Sequence, residues 1–363
     1  MTPHAGGHAT VPESASEAVD DFLAALSAAV PPGFWSLPAL VCCSGGADSV
    51  ALLLGLVRLA PPGCDGRIVV VHAEHDLRAA AVADREFVTA LAARLGLRTA
   101  WRRLAVRDAG CGPRGEGLEA RARRLRYDFV AEVARDVGAR HAAVAHTADD
   151  QAETILQRML RGTGLVGLGG MKGARELCDG VALVRPLLGL RRADARAFLA
   201  AAGQAWREDE SNADVRPARN FLRHEVLPRC EAGPFPAAAE SLVRLGRQAE
   251  RVAGALASAA EHLLEDHASR HADGTVVVRT AALAGLDPHL VAEVFAALWR
   301  REGWPRRDMT ARHYARLARL AADGGPGADL PGGVRAEPDG MPDRLRLGLV
   351  SGPARGPGSR PVT

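Results

Sequence analysis

The sequence predicts an α/β protein: a parallel, doubly wound sheet with helices on both faces, then a smaller, mainly helical domain with a C-terminal β-hairpin. Three observations predict it. Short β-branched or apolar runs alternate with longer helical patterns over the first two-thirds of the chain, as strand–helix–strand units require. At 363 residues the chain exceeds one average domain. Its 47% hydrophobic content fills a core and excludes wholesale disorder.

The elements follow in order. Residues 1–14 are polar and carry Gly, Pro and Ser, so they are expected to form a disordered leader. The first Lys or Arg is Arg58, so the basic start of a targeting signal is missing. A first domain is expected over 15–230. Its strands are predicted at Ala39–Cys43, Arg67–Ala73, Arg98–Leu104, Ala142–Ala145 and Ala182–Leu187. Helical patterns lie at 47–60, 79–96, 117–138, 148–161 and 191–202. A further helix at 217–227 is expected to end at Pro228, which lacks the N–H that would continue it. Glu231–Pro236 reads as a linker. Over 238–350, amphipathic helices at 238–267 and 288–322 flank one strand, Thr275–Arg279, before a hairpin at 333–350 around Pro338-Asp339-Gly340. Residues 351–363, rich in Gly and Pro, are expected to be a flexible tail.

Composition narrows the class. No apolar run approaches the roughly 18 residues of a membrane span, Val50–Val57 being typical of the longest, so a cytoplasmic protein is expected. Six cysteines form no C-x-x-C pair, which leaves zinc and iron–sulfur readings without their ligand spacing. The net charge of +3 is mild, with the basic excess in the middle of the chain. That suits a polyanionic partner without requiring one. Lys172 is the single lysine, so positive charge is almost all arginine.

The strongest chemical signal is Ser44-Gly45-Gly46-Ala47-Asp48-Ser49, directly after a strand and opening a helix. Adjacent glycines permit a tight turn and close approach to an anion. The helix N-terminus adds unpaired N–H groups, and two serines add hydroxyls. Asp48 would repel phosphate unless Mg²⁺ lay between them. The Walker pattern is excluded, since its Gly-Lys pair and wider spacing are missing. A second glycine run, Gly162-Thr-Gly164-Leu-Val-Gly167, matches G-x-G-x-x-G but follows a helix, so the dinucleotide reading fails.

The second cluster is Val144-Ala-His146-Thr-Ala-Asp-Asp150-Gln-Ala-Glu153-Thr. His146 falls at a strand end, where ligands bind in such sheets. Asp150 and Glu153 share a helix face, where paired carboxylates could hold an ammonium ion or Mg²⁺, or take a proton from a nucleophile. Thr147 and Asp150 equally form a capping box, which leaves His146, Asp149 and Glu153 unexplained. Arg121, Arg124 and Arg126 project from one helix, and Arg219 and Arg223 stand four apart on another. Such rows are either solvated surface or phosphate contacts. Aromatics make up only 4%, so no base-stacking platform is visible.

Ser44–Ser49 resembles the S-G-G-x-D-S loop of the PP-loop ATP pyrophosphatases (adenine nucleotide alpha-hydrolase-like). The acidic stretch resembles the H-T-x-D-D-Q-x-E-T motif of the tRNA(Ile)-lysidine synthase family. Further similar segments are Val71–Arg78, Glu119–Tyr127, Leu160–Gly164, Trp206–Asn212 and Arg219–Glu225. The resemblance spans about 38–228 and continues more weakly over 240–350. Asp76 departs from it, standing where the family has a small turn residue.

The resemblance implies an ATP-dependent, Mg²⁺-requiring ligase. It would join L-lysine to C2 of the first-anticodon cytidine of a CAU-anticodon isoleucine tRNA, through an adenylated base. It implies that Ser44, Gly45, Gly46, Ala47, Asp48, Ser49 and Ala73 bind ATP, with Mg²⁺ at Asp48. Asp48, Asp150, Glu153, His146 and Arg124 would be catalytic, and Arg121, Arg126, Arg219 and Arg223 would contact substrate. The 238–350 domain would contact tRNA, and the further C-terminal domain of longer members is expected to be missing. Monomer and homodimer both remain compatible. The rivals are a PP-loop tRNA thiolase, an amide synthetase, and a silent nucleotide- or tRNA-binding module.

Overall fold

The computed structural model describes residues 13–75, 81–107, 116–208, 218–341 and 343–350. Most of the expected leader, the Asp76 turn, Asp209–Asn212 and the expected tail lie outside the described residues. The chain runs through α1 (Glu13–Ala29), β1 (Ala39–Cys42), α2 (Ala47–Leu59), β2 (Ile68–His75), α3 (Ala81–Arg94), β3 (Arg98–Leu104) and α4 (Leu118–Val137). It continues through β4 (His141–Ala143), α5 (Ala148–Leu160), α6 (Leu165–Leu168), β5 (Ala174–Cys178), β6 (Val181–Val184) and α7 (Arg192–Ala201). All five predicted strands and the intervening helices form. β6 stops short of the expected Leu187 because Pro186 cannot donate to a ladder.

These strands form a six-stranded sheet ordered β3-β2-β1-β4-β6-β5, parallel except for β5, which pairs antiparallel with β6. Alternate strand residues feed two cores, as the pleat dictates. Ala39, Val41, Ile68 and Val70 pack with Phe22, Leu52, Val88 and Phe198 from the helices on one face. Leu40, Val69 and Val71 pack with Phe129, Val130 and Val133 of α4 on the other. Because β1 has β2 on one side and β4 on the other, the chain's direction of winding reverses there. A crevice opens beyond their carboxyl ends.

Several elements differ from expectation. α1, the short α6 and β5 are additions; the Asp179-Gly180 turn between β5 and β6 is a hairpin signal. The helix expected to stop at Pro228 instead runs from α8 (Ala218–Phe221) through one π turn (Leu222–Val226) into α9 (Leu227–Ala232). The wider turn accommodates the residue that has no N–H to give.

α10 (Ala238–His267) contains the division between two compact units, which falls between Gln248 and Ala249. In the second unit the expected 288–322 helix is two, α11 (Pro288–Arg301) and α12 (Ala311–Asp323), separated at Gly303-Trp304-Pro305. The expected hairpin belongs to a five-stranded antiparallel sheet. In chain order its strands are β7 (Ala268–Arg270), β8 (Val276–Arg279), β9 (Ala328–Leu330), β10 (Val334–Pro338) and β11 (Arg344–Leu349). Buried Trp299, Phe295 and Leu298 of α11 anchor that unit's core.

Candidate active site

The Ser44–Ser49 loop sits at the switch point, between β1 and α2. Gly45 has φ +97°, a left-handed conformation that a side chain strongly disfavours. Ser49 Oγ donates to the Gly46 carbonyl at 2.9 Å and accepts from the Ser44 N–H at 3.1 Å, which closes the loop on itself. The Arg207 N–H donates to the Gly45 carbonyl at 2.9 Å and fastens it from outside. Gly46 caps α2 with no side chain, so the first N–H groups of α2 have no side-chain acceptor in front of them. An anion cradle results.

β4 leads into α5, whose capping box is real: Thr147 N–H donates to Asp150 Oδ2 at 2.9 Å. The capping and functional readings prove compatible, since each Asp150 oxygen serves one of them. Oδ1 accepts from Arg192 at 2.6 Å, Arg219 at 2.9 Å and Arg223 at 3.1 Å. Glu153, one helical turn on and 1% exposed, accepts from Arg219 Nε and Arg223 Nε, each at 2.7 Å, and lies 2.9 Å from Arg192 Nη2. Arg192 Nε also lies 3.7 Å from Asp48 Oδ2. Three carboxylates and three guanidinium groups thus link the cradle to α5.

Their titration separates them. Burial raises the pKa of the Asp48 carboxyl to about 6; Arg192 opposes this and Asp150 and Asp149 reinforce it. Asp150 is also buried, yet Arg192, Arg219 and the Thr147 N–H hold its pKa down to about 2. His146 is lowered to about 4, by burial first and by the nearby charges of Arg185, Arg219 and Arg123, so it is neutral at pH 7. Arg185 Nε donates to His146 Nδ1 at 3.2 Å, and an arginine can only donate. The His146 proton therefore resides on Nε2, which makes that nitrogen a hydrogen-bond donor.

The structure gathers Asp48, Asp150, Glu153, Arg219 and Arg223 into one network, with His146 at its edge. Arg124 and Arg121 instead converge on Glu116, Arg124 Nη2 at 2.9 Å and Arg121 Nε at 3.9 Å. Arg126 lies near Cys42, and Ala73 is half-buried on the α4 side of β2. The central residue that sequence reasoning missed is Arg192. It opens α7 just beyond β6, so searching after every strand, the last one included, would have found it. Arg191 and Arg185 were missed for the same reason; Arg191 Nε holds Asp149 at 3.1 Å.

The network rests on a second brace. Gln151 Nε2 donates to the Gly169 and Met171 carbonyls at 3.2 and 3.0 Å, and its Oε1 accepts from the Met171 N–H at 2.7 Å. Gly170, with φ +71°, lies under it, and a Cβ there would stand 2.6 Å from the Gln151 amide. Gly170→Ala should therefore lower stability by roughly 2 kcal/mol or more in denaturant unfolding, combining φ strain with a broken buried amide. An unchanged midpoint would show that the brace is dispensable. Among the described residues no three Cys, His, Asp or Glu side chains converge as a metal-binding set.

Comparison with known proteins places this geometry. A PP-loop domain family model matches residues 27–230. The chain is 40% identical over 332 residues to the tRNA(Ile)-lysidine synthase of Thermus thermophilus, covering 87% of this chain and 59% of that one. It is 34% identical over 317 residues to the enzyme of that name from Rhodopirellula baltica, covering 78% and 79%. With the one from Salinispora tropica it is 38% identical over 307 residues, covering 82% and 87%. The chain thus spans about three-fifths of the Thermus thermophilus relative and most of the other two. Among solved structures, the U34-tRNA thiolase NcsA from Methanococcus maripaludis, with its [4Fe-4S] cluster, superposes at a TM-score of 0.53 and 12% identity. That match covers 65% of this chain and 80% of that one, a likeness of fold.

Proposed function

Because this chain belongs to the tRNA(Ile)-lysidine synthase family, we propose that it is a cytoplasmic ligase converting the first-anticodon cytidine of a CAU-anticodon isoleucine tRNA to lysidine. The observation that carries this reading is the juxtaposition, through Arg192, of an anion cradle with a carboxylate pair buried among guanidinium groups. One half suits a triphosphate and the other an amine.

In this reading Ser44–Ser49 and the N-terminus of α2 hold the phosphates of ATP, with Ala73 beside the nucleotide. The cytidine is drawn out of its stack. Its C2 oxygen attacks the α-phosphorus, pyrophosphate leaves, and the base carries AMP. The ε-amine of lysine then attacks C2, and AMP departs with the oxygen. Asp48 suits Mg²⁺: a hard oxygen donor whose nearest cation among the described residues is 3.7 Å away, and a single carboxylate matches an ion that shares its coordination with substrate phosphates. When bound there, Mg²⁺ would neutralise phosphate charge.

Lysine arrives as an ammonium ion with a reference pKa of about 10.4 and must lose a proton before attacking. Asp150 and Glu153 receive it by exchanging one guanidinium for the ammonium. Asp150, held near 2, is a weak base, so we assign it to binding and Glu153 to the proton. A displaced guanidinium from Arg219 or Arg223 becomes available to the α-phosphate. His146 offers its Nε2–H to the substrate, Arg121, Arg124 and Arg126 meet the RNA, and the 238–350 region contacts the tRNA body.

The test is incubation of the purified chain with ATP, labelled lysine and total bacterial tRNA, with mass spectrometry of the anticodon nucleosides. Label in a lysidine nucleoside is the expected result. ATP binding without incorporation would replace this reading with a silent module, and a thiolated nucleoside would replace it with a thiolase.

A further inference from the structure

The arginines around the catalytic edge fall into two groups by what they touch. Arg192, Arg219, Arg223, Arg121 and Arg124 each meet a carboxylate. Arg123, Arg175 and Arg185 do not: among the described residues no carboxylate comes within 4.0 Å of any of the three. Arg185 is the extreme case. It follows β6, is 6% exposed, and makes its bonds to neutral acceptors, His146 Nδ1 at 3.2 Å and the Lys172 carbonyl at 2.7 Å. Arg123 and Arg175 both lie over the ring of Tyr127, with guanidinium carbons 5.2 and 4.9 Å from its centroid. The ring engages their planes and leaves N–H edges available; one Arg175 edge reaches the Glu176 carbonyl at 2.8 Å.

A buried cation with no acid is costly, and two more cations beside it add repulsion. Burial, together with the like charges of Arg175 and Arg123, pulls the Arg185 guanidinium below its ordinary pKa, with Tyr127 opposing; an arginine stays charged regardless. Charge left uncompensated at the carboxyl edge of a sheet calls for an anion from outside.

We propose that Arg185, with Arg123 and Arg175 about Tyr127, forms a phosphate site that takes a backbone phosphodiester of the substrate RNA beside the base being modified. The proposal rests on the reading of this chain as an RNA-modifying enzyme. The pyrophosphate of ATP has the same chemistry, but it already has a seat in the Ser44–Ser49 cradle. Arg123 is moreover exposed on α4, and Tyr127 is half-exposed, so the site opens outward as a polymer requires.

The test measures tRNA affinity against salt, and ATP affinity without tRNA, in the full chain. Arg123→Gln/Arg175→Gln alters no buried residue and keeps the fold. It should weaken tRNA binding about tenfold or more at moderate salt and make the log–log salt slope shallower by about one to two, with ATP affinity unchanged. Arg185→Gln should lower tRNA affinity and the salt slope in the same way; because it also gives up the bonds to His146 and the Lys172 carbonyl, it is assayed at a temperature where its thermal unfolding curve shows it folded. Unchanged tRNA affinity and slope in both variants would overturn the site. Weakened ATP binding with intact tRNA binding would reassign it to pyrophosphate and likewise overturn it. Wild-type protein that binds tRNA, with the slope lost in the variants, yet transfers no lysine would uphold this site and refute the enzymatic reading alone.

Discussion

Asp48→Ala should reduce ATP-dependent lysine incorporation into tRNA at least about 1,000-fold, equivalent to roughly 4 kcal/mol of transition-state stabilisation. Asp48→Asn should do nearly the same while making the nucleotide-free protein more stable. Both effects have one cause. The Asp48 carboxyl is mostly buried, with the Arg192 guanidinium 3.7 Å away, and its pKa rises from the ordinary 3.8 to about 6. The folded chain therefore holds a proton that the unfolded chain has released between about pH 4 and 6. The contribution of Asp48 to stability falls as pH rises through that window, and the ionised group costs about 3 kcal/mol at neutral pH. A ligand that brings a divalent cation would relieve this, as a charge kept for function rather than for the fold requires. His146, lowered to about 4, contributes the opposite slope over the same window, so the Asp48 contribution is read as a difference. In urea unfolding from about pH 4 to 8, Asp48→Asn should gain stability relative to wild type as the pH rises. Full incorporation by either variant would remove Asp48 from the chemistry.

The parts of the site that the sequence displays are those made of consecutive residues. Ser44–Ser49 is legible because its glycines, serines and acid all serve one turn, and that turn follows an unmistakable strand. Asp150 and Glu153 are legible because helix periodicity puts them on one face. What they face is not legible. Arg192 reaches Asp48 and Asp150 because β6 lies beside β4 and β4 beside β1, a strand order that no local pattern states. Nor does spacing distinguish Arg123 from Arg124. Both lie on α4, yet Arg124 is taken up by Glu116 while Arg123 lies over Tyr127, with no carboxylate within 4.0 Å among the described residues. Arginine rows in a sequence show where charge is, and only the fold shows which charges are already matched. The π turn at Leu222–Val226 is hidden for a similar reason, since a proline that ends most helices is here absorbed by one wide turn.

Glu153→Gln separates the two halves of the proposed reaction. Measured as pyrophosphate release with ATP and tRNA but no lysine, adenylation should stay within a few-fold of wild type. Lysine transfer should fall about 100-fold or more, the usual worth of a positioned base. The substitution also tests what holds the site together. Glu153 is 1% exposed and receives both Arg219 and Arg223, so removing its charge leaves a buried amide among partly buried guanidinium groups short of an acid and should cost about 3 kcal/mol in denaturant unfolding. That loss alone does not decide the role, because a purely structural acid would show it too. The partial reactions decide it. If Glu153 worked by fixing Arg219 and Arg223 against the α-phosphate, pyrophosphate release and lysine transfer would fall together. If it takes the proton of the incoming ammonium, only transfer falls, and raising the pH should recover part of the rate because more lysine arrives already neutral.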